Sequence, residues 1–247
     1  MDRLIYTAMT GAKHILEKQA TTSHNLANAT TTGFRAQLDS FRAVPVRGAP
    51  LETRAFVVDS TVGADFTPGA IQQTGRDLDV AVQGKGWIAV QLPDGSEAYT
   101  RNGSLKTNEN GVLQTQGGAA VLGDGGPIAI PPDVTVSVAG DGTVTAIATG
   151  FKPGAATVLG RIKLVNPPEE NLVRGDDGYF RQKTGGDAEV DANVTLIGGA
   201  LEGSNVNVVD SMVEMISLAR QFDMHMTLLK NVEGNEARAA QLLSIGG

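Results

Sequence analysis

Cysteine is absent from this chain of 247 residues. That excludes disulfides, thiolate metal sites and a cysteine nucleophile. Histidine is nearly absent too: His14, His24 and His225 are the only three, and none stands at metal-ligand spacing from another. A metal site is therefore not expected, nor is any cofactor. Aromatic residues make up 4% of the chain, which leaves little material for a thick core. No apolar run approaches the ~18 residues of a membrane-crossing helix, so direct membrane insertion is not expected. The opening MDRLIYTAMTGAKHILEKQ holds no apolar run of signal-peptide length, so any export is expected to need no cleaved signal peptide. Positive charge is also short, with 20 basic against 27 acidic residues, a net −7. Without a basic cluster, no nucleic-acid partner is expected.

What is plentiful is glycine: 31 residues, roughly twice the usual ~7%. Such a chain is expected to turn often and to suit a β-rich structural protein better than an enzyme. Proline, by contrast, stops at Pro168. The last forty-odd residues form the longest patterned stretch. Met212, Met215, Ala219, Phe222, Met226 and Leu229 follow each other at alternating steps of three and four, and the pattern returns at Ala240 and Leu243. That is the spacing of a coiled-coil seam. Asp210, or Asn207 before it, can cap the first turn. A helix of roughly 35 residues would be about 50 Å long, and its narrow apolar stripe needs a partner.

The start of the chain supplies a candidate. Ile5, Ala8, Ala12, Ile15 and Leu26 share one helical face, and the small residues Ala8, Gly11 and Ala12 allow close approach. The pattern predicts a helix over 3–28. It ends in Ser23-His24-Asn25-Leu26-Ala27-Asn28 and the Thr30–Thr32 run, poor helix formers. Gly33 can take a positive φ, and Phe34 is a large apolar group on an irregular segment. From 36 to 76 periodicity is weak, with one short strand expected around Val57, Val58 and Val62, so this reads as an extended connector. Both terminal segments are expected to be largely disordered in the free monomer.

From Asp77 the pattern becomes β. Leu78, Val80 and Val82 alternate with Asp77, Asp79 and Ala81, and strands recur every ~8–12 residues. Asn108-Glu109-Asn110-Gly111 and Gly140-Asp141-Gly142 read as hairpin turns. Catalytic patterns are missing. Gly84-Lys85-Gly86 lacks the spacing of a phosphate loop. Asp77 and Asp79 read as solvated acids beside a turn. Gly175-Asp176-Asp177-Gly178 is short of a calcium loop. The methionines of the C-terminal helix suit a core or an adaptable interface. No catalytic residue and no enzymatic activity are expected.

Four stretches together carry a resemblance. They are Ser23–Asn28 with Thr32-Gly33-Phe34, Asp77–Gly84 with Gly86-Trp87, Tyr99-Thr100-Arg101-Asn102-Gly103-Ser104-Leu105, and Glu202-Gly203-Ser204-Asn205-Val206-Asn207 followed by Met212-Val213 and Met215-Ile216. In these the chain resembles the bacterial flagellar rod and hook axial family. Met1–Tyr6 and Ser217–Phe222 are most similar to its proximal-rod branch. His24 and Trp87 depart from the commoner residues of that family. The resemblance implies a mixed α and β fold: a discontinuous terminal helical coiled-coil domain (1–35 and 205–247), an extended connector (36–76) and an inserted all-β domain (77–204). It implies a structural subunit of the basal-body rod, located within the periplasm, that transmits torque from motor to hook. Its partners would be other rod proteins, proximal and distal, copies of itself, and the flagellar type III export apparatus. The expected assembly interface is Ile5, Ala8, Ala12, Ile15, Leu26, Asn28, Phe34, Met212, Met215, Ala219, Phe222, Met226, Leu229 and Leu243. The alternatives are a distal-rod or hook-type subunit, and a secreted β-rich carbohydrate-binding module or enzyme.

Overall fold

The 3.6-residue pattern near each end of the chain does form a helix. The computed structural model describes residues 2–45, 55–148 and 156–245, and in it α1 spans Asp2–Ala27 and α2 spans Val208–Ile245. Helix α1 stops where the sequence turns against it: the Asn28 side chain donates 2.9 Å to the His24 carbonyl, which also accepts from the Asn28 backbone N–H at 3.2 Å. Helix α2 begins at an asparagine cap. Asn207 Oδ1 accepts from the backbone N–H of Val209 at 3.0 Å and of Asp210 at 3.4 Å, and Asp210 then sits where the helix dipole favours an acid. The chain divides into two units, one made of Met1–Asn28, Gln37–Asp65 and Val206–Gly247, the other of Ala29–Ala36 and Phe66–Asn205.

In the first unit α1 and α2 run antiparallel. Lys18 Nζ meets Glu214 Oε1 at 2.7 Å, while Gly11, a turn and more towards the start of α1, lies against His225, further along α2. Gly11 is small for a reason: a Cβ there would fall 2.7 Å from His225 Cε1. Ala8, Ala12, Thr22 and Leu218 are buried. The two terminal segments carry helix and pack on each other within one chain, with Gly11 of α1 leaving room for His225 of α2.

The same unit contains a surprise for the stretch 36–76, expected as an extended connector. It carries an antiparallel hairpin, β1 (Gln37–Pro45) on β2 (Ala55–Ala64). The pattern hides because the pairing steps from Ser40–Thr61 to Phe41–Asp59; the extra residue, Ser60 of β2, interrupts the period-two alternation by which that strand is read. Pro45 is tolerated because both strands of a two-stranded sheet are edges. The hairpin is tied to α1 by Asn25. Its side-chain Oδ1 accepts from Gln37 N at 2.8 Å and its Nδ2 donates to Gln37 O at 2.9 Å, so the carboxamide pairs with the first residue of β1 as a strand neighbour would.

The second unit is β throughout its described length apart from a short 3-10 turn. Its strands are β3 (Ile71–Gln73), β4 (Val80–Gln83), β5 (Trp87–Gln91), β6 (Glu97–Thr100), β7 (Leu105–Thr107), β8 (Leu113–Thr115), β9 (Ala120–Gly123), β10 (Gly126–Pro127), β11 (Val134–Val138), β12 (Thr143–Ala148), β13 (Thr157–Arg161), β14 (Leu164–Val165), β15 (Leu172–Arg174), β16 (Phe180–Gln182), β17 (Thr195–Gly198) and β18 (Ala200–Glu202). The main sheet runs β15-β16-β6-β5-β9-β8-β7, with β10 on β9 and β14 on β5; β11-β12-β13 form a second sheet, and β17–β4 and β18–β3 pair separately. Among the described residues its strand pairings are antiparallel. Val80, Ile88, Val90, Leu105, Leu113, Val121 and Val144 form the centre of its core. The turn before β8 follows its sequence: Asn108 Oδ1 accepts from Asn110 N and Val112 N, and Gly111 takes φ +79°, which other residues resist. No helix among the described residues is long and apolar enough to cross a membrane.

Candidate assembly interface

The interface residues expected on the two helices separate into those the chain uses itself and those it leaves outside. On α1, Ala8 and Ala12 are buried and Ile5, Ile15 and Leu26 half-buried. On α2, Met215, Phe222 and Leu229 are half-buried, whereas Met212, Ala219 and Met226 are exposed. The side chain of Leu243 lies outside the described residues. Asn28 closes α1. Among the residues of α2 whose side chains are described, the most buried apolar one is Leu218, at 4% exposure, which the three-four stripe omits. At 100° per residue the face of α2 centred on Leu218 lies roughly 65° from the centre of the stripe. One edge of the stripe therefore turns inwards and the other outwards.

What stays outside is substantial. Val209, Val213, Ile216 and Met224 are each more than half exposed, as are Tyr6 and Met9 on α1, with Leu16 close behind. Met9 and Leu16 share a flank of α1, since seven residues are nearly two turns. Contiguous exposed apolar surface of this kind marks an interaction site on a soluble protein. Between α1, α2 and β1 lies an open cavity of about 640 Å³ lined by Gly11, His14, Phe41, Glu214, Leu218 and His225 among others. His14 stands edge-on to Phe41, ring centroids 5.3 Å apart.

The second unit holds a buried polar clamp that joins the sequence motifs. Glu202, at the end of β18, is 1% exposed. Its Oε1 lies 2.7 Å from Arg35 Nη2 and accepts from Gly69 N at 2.8 Å. Its Oε2 lies 3.0 Å from Arg101 Nε, an ion pair whose angle is not that of a hydrogen bond, since neither atom has such a partner. Its backbone carbonyl accepts from Gly33 N at 2.8 Å. Arg101 spreads its other two nitrogens onto the carbonyls of Gly86 (2.8 Å) and Gly84 (2.5 Å). Burial is the main force on Arg101: it lowers the guanidinium pKa to about 10, against the pull of Glu202, and Arg35 lowers it further.

Asn205 extends the clamp. Its Oδ1 accepts from Ala36 N at 2.7 Å and its Nδ2 donates to Thr67 O at 3.1 Å. Thr32 Oγ1 donates to Asn102 Oδ1 at 2.9 Å. Gly33, at φ +67°, presses against the backbone of Arg101 and Asn102, and Gly103 against the carbonyl of Val80, so that a Cβ at either would collide with main chain. Phe34, expected at the assembly surface, is instead 4% exposed within this unit. Arg174 lies over its ring at 4.4 Å, and Arg174 Nη1 donates to the Arg35 carbonyl at 3.1 Å. Trp87 packs on Phe180 with centroids 4.6 Å apart. Glu202, Arg35, Arg101 and Asn205 were not among the expected site residues. Arg101, Glu202 and Asn205 lie inside the quoted motifs and Arg35 directly follows one, but nothing in a linear sequence says that an arginine at 35, another at 101 and an acid at 202 will meet.

Comparison with known proteins places these motifs. Residues 5–35 match the family model described as "Flagella basal body rod protein", residues 81–146 that described as "Flagellar hook protein FlgE/F/G D1 domain", and residues 197–242 that described as "Flagellar basal body rod FlgEFG protein C-terminal". The chain is 49% identical to the flagellar basal-body rod protein FlgF of Escherichia coli (strain K12), over 99% of this chain and 100% of the relative. It is 47% identical, over the same shares, to FlgF of Salmonella typhimurium. Against the flagellar basal-body rod protein FlgG of Borreliella burgdorferi it is 29% identical, over 91% of this chain and 92% of the relative.

Proposed function

The chain belongs to the flagellar basal-body rod protein family and is a structural subunit of that rod, and from this premise we propose that it polymerises through the outward apolar flanks of its two helices. The observation that carries the proposal is the exposed row Val209, Met212, Val213 and Ile216 on α2. Seating these residues against a neighbour's helix, in a coiled-coil-like seam, would contribute ~1.5–3 kcal/mol per fully buried large side chain, offset by the entropy of ordering the contact. The neighbours are copies of the same chain and other rod proteins. A contact made between different patches of successive subunits continues without closing, as a filament requires.

On this reading the helices form the axial layer that transmits torque to the hook, and the Glu202 clamp holds the β-rich unit together. The subunit leaves the cytoplasm through the flagellar type III export apparatus and stands in the periplasm. Identity of 49% and 47% to two FlgF relatives, against 29% to the FlgG relative, supports a proximal place in the rod. The role is structural rather than catalytic. Val213→Glu and Ile216→Lys test the proposal by complementation of a strain lacking this protein. Both variants should keep wild-type helicity and unfolding temperature yet fail to build rods or restore swimming. Wild-type motility from both would overturn it.

A further inference from the structure

The clamp brings together two guanidinium groups and one carboxylate, all at 2% side-chain exposure or less. A surplus positive charge is thereby buried, in a chain whose net charge is −7. Buried charges are ordinarily paired, because the loss of hydration is otherwise uncompensated. The Arg35 side chain is only partly used: among the described residues its Nε and Nη1 have no hydrogen-bond partner. Arg174, itself half-buried, adds further positive charge on the other side of the Phe34–Arg35 segment. Beside the two guanidinium groups is a cavity of about 20 Å³, lined by Arg35, Arg101, Trp87, Phe66, Lys85 and Glu169 among others. Lys85 and Glu169 pair with each other at 2.9 Å and are both well exposed, so they sit at the solvent rim and leave the inner charge unbalanced.

We propose that this cavity is a binding site for a single small halide, chloride under ordinary conditions, held by Arg35 beside Arg101. Size decides the class. A water-sized guest needs ~10–15 Å³ of such space, and a single spherical ion is the anion nearest to that in size. Charge decides against water: a neutral guest satisfies the Arg35 donors and leaves the buried surplus in place. The halide would complete the clamp as its second anion, opposite Glu202.

Trp87, the single tryptophan of the chain, lines the cavity and supplies the readout. Bromide, a quenching stand-in for chloride, should quench the fluorescence of the full-length protein along a saturating curve, and chloride should compete it off. The unfolding temperature should rise with the logarithm of chloride concentration above the dissociation constant and stay lower in gluconate of equal ionic strength. Arg35→Met should abolish the difference between the two salts. If that variant does not fold, the bromide titration of the wild type still decides. Linear, purely collisional quenching with identical unfolding in chloride and gluconate would mean that water alone occupies the cavity, and the proposal would fail.

Discussion

Glu202 Oε1 sits 2.7 Å from Arg35 Nη2, with both side chains almost wholly removed from solvent. The pair joins residues at opposite ends of the sequence, and Arg101 joins it from the middle. Replacing such a cluster by apolar side chains is often neutral or stabilising, whereas removing one partner is costly. The clamp is therefore better understood as a device that fixes which three segments meet than as a reservoir of stability. Glu202→Gln should keep an acceptor for Gly69 N and Arg35 while removing the carboxylate charge from beside two buried guanidinium groups. A loss of ~3–5 kcal/mol is expected in urea unfolding followed at Trp87. A loss within error of zero would show that the ion pair is not formed.

Gly33 and Gly95 separate two reasons for glycine. Both have positive φ, +67° and +85°, but a Cβ at Gly33 would strike the backbone of Arg101 and Asn102, while one at Gly95 meets nothing within 4 Å. Gly95→Ala should cost about 1 kcal/mol, the price of the left-handed conformation alone. Gly33→Ala should cost clearly more, since main chain must move, and should disturb the Gly33 N–H bond to Glu202. Equal unfolding midpoints for the two variants would remove the claim that Thr32-Gly33-Phe34 is held against Arg101-Asn102-Gly103.

How much of this could be read beforehand depends on how local the cause is. Asn207 as a cap and Asn108–Gly111 as a turn are decided within a few residues, and both were legible. The helices were legible from periodicity, but the face that packs was not. Met212, Ala219 and Met226 fit a seam as well as Leu218 fits a core, and only the position of α1 distinguishes them. Of the β1–β2 hairpin only the short strand around Val57, Val58 and Val62 was legible, and the extra residue Ser60 breaks its alternation. Phe34 read only as a large apolar group on an irregular segment, because its cover, Arg174, lies 140 residues further along. The Arg35–Glu202–Arg101 cluster belongs to the same class of long-range juxtaposition, which residue type and spacing do not encode.

The turn acids give the fold a dependence on pH that can be assigned in sign. Asp141 is held below the ordinary carboxylate range by the backbone N–H and then the hydroxyl of Thr143, and Asp94 by the hydroxyl and then the N–H of Ser96. A carboxylate whose pKa is depressed in the folded state binds its proton less readily there than in the unfolded chain. Its contribution is therefore complete above the unfolded value of about 3.9 and disappears as pH falls through the lower folded value. Asp141→Asn keeps the acceptor for Thr143 but not the charge. It should lower the unfolding temperature slightly at neutral pH, and the gap to wild type should close as the solution is taken below the usual carboxylate pKa. Asp94→Asn should behave alike at its own turn, and the two effects should add because the sites share no partner. A gap that stays constant through acid would mean that the charge on these turns contributes nothing, and that the hydrogen-bond geometry alone holds the β11–β12 and β5–β6 hairpins.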